Sequence, residues 1–424
     1  MIRTITAYIR SGTLKNLFIY SFGALFLKGI SFFLLPLYTS LLTPEEFGKL
    51  ELLSTFASVL EFMCGLGLAQ YFFMEFYRYD RDQRLAILRK VLRLYSTLVL
   101  ALHLLVVLIC FFFQGLVFQD IQFWVVIMVI TTTYLTFFQT IYILILKLEL
   151  KGLEVTLVQV VFGVIAILLN VLLIVYFRTG YPGIVLAGLI AMSLGAAYAI
   201  VKLHRYASGG IVGWPGNDSL RILPFSLPFI PSMMSVWLMN SANRWILLHY
   251  VGMTELGYYS VAAKFSTLLD PLLLQPFLNV YAPRVLQRFR NGDYRQPLGK
   301  NSLLLVPATV LLAIILVFIA RFMVDERYYP ALQLIPMMIS GYYFSLLAQM
   351  AGNLLVFRKR VKRLLLAILA GATISVGGNL LLVRFFGVAG CALGTAAGNA
   401  AWLAAILYFV YQERLLIRRE GISV

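Results

Sequence analysis

The chain of 424 residues is 61% hydrophobic and 12% charged, with 35 Lys and Arg against 18 Asp and Glu and a net charge of +17. Soluble domains carry about 25% charged residues, so a soluble enzyme, a disordered chain and a collagen-like fibre are excluded, and an all-α polytopic membrane protein remains. The basic excess must be tested against topology before a nucleic-acid partner is considered.

The chain opens on a mixed polar stretch, Met1-Ile2-Arg3 to Lys15-Asn16, without the small-residue cleavage site of a signal peptide, so a retained first span is expected. Apolar runs long enough to cross a bilayer follow at 17–42, 50–74, 94–113, 122–146, 153–177 and 183–202. Six more follow at 222–250, 258–282, 302–321, 331–357, 364–383 and 387–411, which makes about twelve transmembrane helices. Barrel strands do not fit, because they run to about 10 residues of alternating polarity and these runs are long, continuous and rich in Leu. Cys64, Cys110 and Cys391 are scattered through the apolar runs. They offer neither a disulfide framework nor ligand spacing, and no metal is expected.

With the N-terminus inside, 27 basic residues fall on the cytoplasmic side. Only Lys49, Arg178, Arg321, Arg327 and Arg384 fall outside, and Lys28, Arg244 and Lys264 lie within spans. That asymmetry predicts two cytoplasmic termini and reads the basic residues as anchors near anionic headgroups, which removes nucleic acid as a partner.

The chain also repeats itself. Thr43-Pro-Glu-Glu-Phe47-Gly48, running on through Phe56 to Glu61, corresponds at an offset of 209 to Gly252-Met-Thr-Glu-Leu256-Gly257, running on through Phe265 to Asp270. The same offset sets Asn170-Val-Leu-Leu on Asn379-Leu-Leu-Leu. Six spans per half, an even number, give both halves the same direction and a pseudo-twofold axis along the membrane normal. The expected organisation is an N-terminal six-helix bundle over 1–205, a cytoplasmic linker over 206–221 and a C-terminal six-helix bundle over 222–424. Two parallel bundles around a central cavity make a transporter architecture.

Five ionisable groups lie well inside spans: Lys28, Glu61, Arg244, Lys264 and Asp270. Each costs about 2.5–3.5 kcal/mol at the bilayer centre, so they must pair or face water. By depth, Lys28 and Glu61 are placed to pair across the first two helices, either as a structural ion pair or as working groups. Arg244 and Lys264 each sit about 9 Å below the outer surface, where two cations repel unless an anion lies between them. A bound substrate anion is the expected partner, making Lys28, Arg244 and Lys264 candidate substrate-binding residues; Arg244 is also close enough to the end to snorkel.

Glu61 and Asp270 are the repeat-related carboxylates and the candidates for ion coupling, by titration or by binding a cation. Pro224, Pro228 and Pro231 in the seventh span, and Pro271 beside Asp270, break ladder bonds and are candidate gating hinges. The small-residue tract Gly387-Val-Ala-Gly390-Cys-Ala-Leu-Gly394-Thr-Ala-Ala-Gly398 reads as close helix packing. His103 and His249 lie near span ends and form no relay pattern. No G-x-x-x-x-G-K-[ST] loop, H-E-x-x-H or Cys-x-x-Cys occurs, so no cofactor is expected and the cycle needs a proton or sodium gradient or removal of product.

Leu35-Pro36-Leu37-Tyr38, followed by Thr43-Pro44-Glu45-Glu46-Phe47-Gly48, resembles the opening of lipid-linked oligosaccharide flippases. Gly65-Leu-Gly67-Leu-Ala-Gln-Tyr-Phe-Phe before a basic loop resembles the same family, as does the stretch from Asn379 through Gly387 to Thr395. The likeness is to the polysaccharide-transport branch of the multidrug/oligosaccharidyl-lipid/polysaccharide exporter superfamily. It implies a non-enzymatic flippase that moves undecaprenyl-diphosphate-linked sugar repeat units from the inner to the outer leaflet by alternating access. The product feeds O-antigen, capsule or exopolysaccharide assembly at a bacterial cytoplasmic (inner) membrane, with a glycan polymerase and a chain-length regulator as partners. An ion-coupled multidrug or small-molecule exporter of the same superfamily is the alternative. A major-facilitator transporter fits less well, since the loop Glu75-Phe-Tyr-Arg-Tyr-Asp-Arg-Asp-Gln-Arg84 lacks that class's glycine. A glycan polymerase would need a long outer loop, and none is present.

Overall fold

The computed structural model describes residue 32 and residues 34–118, 120–207, 217–227, 229–294 and 298–419. Among them there is no strand. The helices are α1 (Leu35–Leu41), α2 (Pro44–Cys64), α3 (Leu68–Glu75), α4 (Arg81–Leu94), α5 (Leu100–Val117), α6 (Phe123–Leu148), α7 (Gly152–Val171) and α8 (Gly180–Tyr206). They continue as α9 (Asn217–Leu220), α10 (Leu223–Ser226), α11 (Phe229–Asn240), α12 (Asn243–Tyr250), α13 (Met253–Ser266), α14 (Gln275–Arg290), α15 (Leu298–Met323), α16 (Leu334–Phe357) and α17 (Val361–Arg419). Seven helical stretches among the described residues are long and apolar enough to cross a membrane, and the pair α2–α3, bent by 53°, makes an eighth. The protein is an all-α, multi-pass membrane protein.

Sixteen of the 26 residues of the expected first span, 17–42, lie outside the described residues, and its described end carries α1. The second begins six residues earlier than its hydropathy suggested, and the reason is local. Thr43 and Glu46 form a capping box: Glu46 N donates to Thr43 Oγ1 at 3.2 Å, and Thr43 N donates to Glu46 Oε2 at 3.1 Å. Pro44 takes the first helical position, where its missing N–H costs nothing. The helix therefore starts on a polar sequence, and Glu51 lies two turns inside it.

The seventh span is discontinuous, in the pieces α10, α11 and α12, with breaks after Ser226 and Asn240. The eighth is interrupted by a π-turn over Asp270–Leu274, where Pro271 cannot donate. The eleventh and twelfth form one 59-residue helical stretch that reverses at Gly387, whose φ of 54° favours glycine. Its two arms run antiparallel: a Cβ on Gly378 would lie 3.2 Å from Gly394 Cα, one on Gly371 would lie 3.0 Å from Gly398 O, and one on Gly390 would overlap Leu382 O. The small-residue tract therefore packs helix against helix, as its spacing indicated.

The chain forms two compact units. The first comprises Met1–Leu37 and Phe56–Met233, the second Tyr38–Thr55 and Met234–Val424. In this grouping Tyr38–Thr55 joins the unit that carries Met234–Val424. The first unit is built around α6, with α8 packed along α6 and α7. Its buried aromatic centre is Tyr95, stacked on Phe137 and donating its hydroxyl to Tyr134 O at 2.9 Å.

In the second unit, α16 packs against α13, α14, α15 and α17. Here the duplication becomes a physical contact. A Cβ on Gly48 would overlap Met253 O, and a Cβ on Gly257 would overlap Pro44 O. Adding 209 to 44 and 48 gives 253 and 257, so each repeat offers the other the same glycine and the same first-turn carbonyl. A pseudo-twofold axis passes between these two helix starts. Glycine is required there because the backbones themselves touch.

Candidate functional site

Glu51 is a buried anion of the second unit, at 5% exposure. The helix cap at Thr43 sets its depth, and the Gly48–Gly257 approach brings α13 close enough for Lys264 to reach it. Lys264 Nζ lies 2.6 Å from Glu51 Oε1, and Arg244 Nε lies 3.9 Å from Oε2. Arg244 also donates through Nη1 to Asn240 O at 3.0 Å and sits over the Tyr259 ring at 5.9 Å. The cluster carries two cations and one carboxylate, a net charge of +1. The arrangement is uneven: the Lys264 side chain is 48% exposed, whereas those of Arg244 and Glu51 are 13% and 7% exposed.

The two cations expected at one depth therefore come together, and the anion between them belongs to the chain itself. Glu51 was missed because the second span was started at residue 50, which made it an interfacial residue. The capping sequence Thr43-Pro-Glu-Glu46 was the signal that places it inside.

Beside Arg244 lies a small polar cavity of about 30 Å³, lined by Asn240, Asn243, Tyr259, Tyr342, Thr395 and Asn399 among others. Asn243 Nδ2 donates to Tyr259 Oη at 2.6 Å and to Thr395 Oγ1 at 3.1 Å. The buried Oδ1 atoms of Asn379 and Asn399 have no partner among the described residues. This space suits bound water, since buried amide oxygens need donors.

Of the other sequence-predicted residues, Lys28 and Pro228 lie outside the described residues. Glu61 belongs to the first unit, where it lines a cavity of about 200 Å³ together with Gln70, Tyr95, His103, Thr133 and Thr140. Its carboxylate makes no hydrogen bond or ion pair with a described residue. Asp270, its repeat equivalent, lies in the second unit and accepts a hydrogen bond from Gln275 Nε2 at 3.1 Å. Duplication therefore did not preserve the environment of the two carboxylates. Pro224 lies in the short helix α10, Pro231 in the first turn of α11 and Pro271 in the π-turn, so the described prolines all fall at or near helix breaks.

His103 was placed near a span end and is instead well inside the membrane-spanning stretch Arg81–Gly115. It is 4% exposed, its Nδ1 is 2.8 Å from Val99 O, and its Nε2 has no partner. A second ionic cluster, not anticipated from sequence, surrounds Glu413. This fully buried carboxylate accepts from Arg358 Nε and Arg360 Nε at 3.1 Å and from Arg363 Nη1 at 2.6 Å. It ties the turn after α16 to the far end of α17. Among the described residues no group of three or more potential metal ligands is gathered.

Comparison with known proteins adds the following. The family described as "Polysaccharide biosynthesis protein" matches residues 13–288, well over half of the chain. No curated protein matches the sequence. Among solved structures, the chain is similar to the lipid II flippase MurJ in an inward closed conformation, with a TM-score of 0.72 at 15% identity over 93% of this chain and 87% of that one. It is also similar to an inward-facing multidrug resistance MATE family transporter of the MOP superfamily, with a TM-score of 0.71 at 14% identity over 95% and 99% of the two chains. A MOP superfamily transporter from Pyrococcus furiosus, described as having a binding pocket of reversed polarity, aligns with a TM-score of 0.62 at 14% identity over 96% of each chain. At these identities the likeness is one of fold.

Proposed function

Because the chain belongs to the polysaccharide biosynthesis protein family, we propose that it is a flippase carrying polyprenyl-diphosphate-linked oligosaccharide repeat units from the inner to the outer leaflet. The carrying observation is the cluster of Arg244 and Lys264 on the single carboxylate of Glu51. A diphosphate leaving the headgroup region needs charge-assisted donors in place of water. Two cations held by one carboxylate supply them: the diphosphate displaces Glu51, and Glu51 takes the cations back when the substrate leaves. The half-exposed ammonium of Lys264 is the point of first contact, and the more deeply held guanidinium of Arg244 follows. Lys28 assists from the first half. Glycan built from the delivered units requires a polymerase and a chain-length regulator as partners in a bacterial inner membrane.

The cycle is alternating access, with Glu61 and Asp270 as groups that couple it to a proton or sodium gradient. The breaks carrying Pro224, Pro228, Pro231 and Pro271 are the hinges. A multidrug exporter is the second reading, favoured by the alignment over 99% of a MATE transporter's length. The two separate in one experiment. Arg244→Ala and Lys264→Ala, each in a strain deleted for this gene, should abolish surface glycan while membrane levels of the protein stay normal. Normal glycan in both variants refutes the assignment, and altered drug sensitivity with intact glycan favours the exporter.

A further inference from the structure

The end of the second unit at which α14 and α17 finish carries two groups of arginines, and only one group is neutralised. Arg358, Arg360 and Arg363 share the carboxylate of Glu413. Arg284 and Arg288 on α14, and Arg414 and Arg418 on α17, make no side-chain hydrogen bond or ion pair with a described residue. The members of each pair are four residues apart and share a helix face, where like charges repel. Tyr281 stands on the same face of α14, three residues before Arg284 and seven before Arg288. Arg414 is within electrostatic reach of Tyr281 and Arg418, and Tyr281 is within reach of Arg414 and Arg288. Both helices pack on α16, and these side chains border one space.

They differ from ordinary surface charges. Tyr281 is 6% exposed, and its hydroxyl is buried with no partner among the described residues. Arg414 is half-buried, and its Nε is likewise shut off from solvent without an acceptor. A topological anchor keeps its donors in water, whereas a buried donor left unmatched is costly. Glu413 cannot serve, because three other arginines already hold it. An anion with several acceptor oxygens would fit, and a phosphate group is one. The depth is that of headgroups: Tyr281 is the last residue but one of the apolar run 258–282, and Arg414 lies three residues beyond the run 387–411.

We propose that Tyr281, Arg288, Arg414 and Arg418 form a site for the phosphate of an anionic phospholipid. The exposed guanidiniums of Arg288 and Arg418 receive the headgroup, and Arg414 and Tyr281 hold it from deeper in the fold while the acyl chains stay in the bilayer. The charge distribution predicts this end to be cytoplasmic, where anionic lipid attracts basic segments. Such a lipid neutralises a like-charged cluster that the chain itself leaves open, whatever substrate the protein carries.

The test is thermal unfolding of the full-length protein in a non-ionic detergent. It is titrated separately with dioctanoyl-phosphatidylglycerol, zwitterionic dioctanoyl-phosphatidylcholine and inorganic phosphate. Phosphatidylglycerol should raise the unfolding temperature of the wild type, and the other two should not at the same concentrations. Arg414→Gln should need about tenfold more phosphatidylglycerol for the same rise, the loss of one charge-assisted contact. Arg321→Gln, which removes an equal charge at the far end of α15, should respond as the wild type does. Tyr281→Phe removes the orphaned hydroxyl, so without lipid it should be at least as stable as the wild type and yet need more phosphatidylglycerol. Equal responses of Arg414→Gln and Arg321→Gln would reduce the effect to net charge and overturn the site. An equal rise with inorganic phosphate overturns the lipid as its ligand. If Arg414→Gln fails to fold, Tyr281→Phe decides: a response like that of the wild type refutes the site. Failure of glycan transport would leave each of these outcomes unchanged.

Discussion

Glu51→Gln is the sharpest perturbation, because it removes one charge and keeps the shape. Breaking a fully buried ion pair costs about 3–5 kcal/mol, whereas an exposed pair is worth about 0–1 kcal/mol. The Glu51 cluster lies between these limits. Its carboxylate and Arg244 are withdrawn from water, but the Lys264 side chain is 48% exposed, so solvent absorbs part of the loss. A destabilisation of about 2–3 kcal/mol is expected, measurable as denaturant unfolding of the purified protein in detergent. In a double-mutant cycle with Lys264→Gln, the coupling should be about 1–2 kcal/mol, since the 2.6 Å bridge is lost in both variants. Coupling to Arg244→Gln should be smaller across 3.9 Å. The displacement idea adds a second readout. Inorganic pyrophosphate should protect Glu51→Gln at about tenfold lower concentration than the wild type, a difference of about 1.4 kcal/mol, because it no longer competes with a carboxylate. A variant as stable as the wild type, with unchanged pyrophosphate protection, would refute the reasoning.

Gly48→Ala and Gly257→Ala should each destabilise the second unit by about 2–3 kcal/mol, since the new methyl meets a backbone carbonyl that cannot rotate aside. The same unfolding assay checks this, and a neutral Gly257→Ala would disprove the contact. Asp325 gives a pH dependence. Hydrogen bonds from the Arg327 guanidinium and backbone N–H hold its carboxyl below the ordinary carboxylate range, and Arg327 in turn donates to Thr39 O at 3.2 Å and Ser40 O at 2.9 Å. A depressed carboxyl pKa stabilises the fold above its unfolded value of about 3.9 and ceases to do so as pH falls through the folded value. Hydrogen exchange at residues 39–42 should therefore be flat from about pH 5 to 8, after correction for intrinsic rates, and accelerate in acid below about pH 4. Asp325→Asn should show the acid behaviour throughout.

The membrane class and most of the spans were legible because they rest on composition over twenty or more residues, which local context cannot disguise. The break after Ser226 and the π-turn at Asp270–Leu274 were legible as well, because prolines stand at them; the break after Asn240 has none and was not. Two kinds of information were not. Helix starts set by polar caps are invisible to hydropathy, so the span beginning at Pro44 was read from residue 50 and its Glu51 was lost from the interior. His103 was set near a span end although it stands at the middle of the apolar run 94–113, and the structure places it well inside the helical stretch Arg81–Gly115. The grouping of Tyr38–Thr55 was illegible for a different reason. The capped start of α2 packs with the second repeat, and a linear segmentation has no means of joining it to Met234–Val424.

The duplication itself carries the last step. At the offset of 209, the backbone contact is symmetric: Gly48 meets Met253 as Gly257 meets Pro44. The chemistry beside it is not. The counterpart of Glu51 is Ser260, fully buried with its hydroxyl unpartnered, and the counterpart of Lys264 is Thr55, whose hydroxyl donates to Leu52 O at 2.8 Å. One glycine-bound helix crossing therefore presents an ion pair on one side of its axis and two hydroxyls on the other. Packing demands are the same on both sides, and they preserve the glycines in both copies. An anion needs its cations on one side only, so the polar residues were free to diverge. The crossing is thus charged on the Glu51 side only, which is the side the proposed substrate-binding role of Arg244 and Lys264 requires.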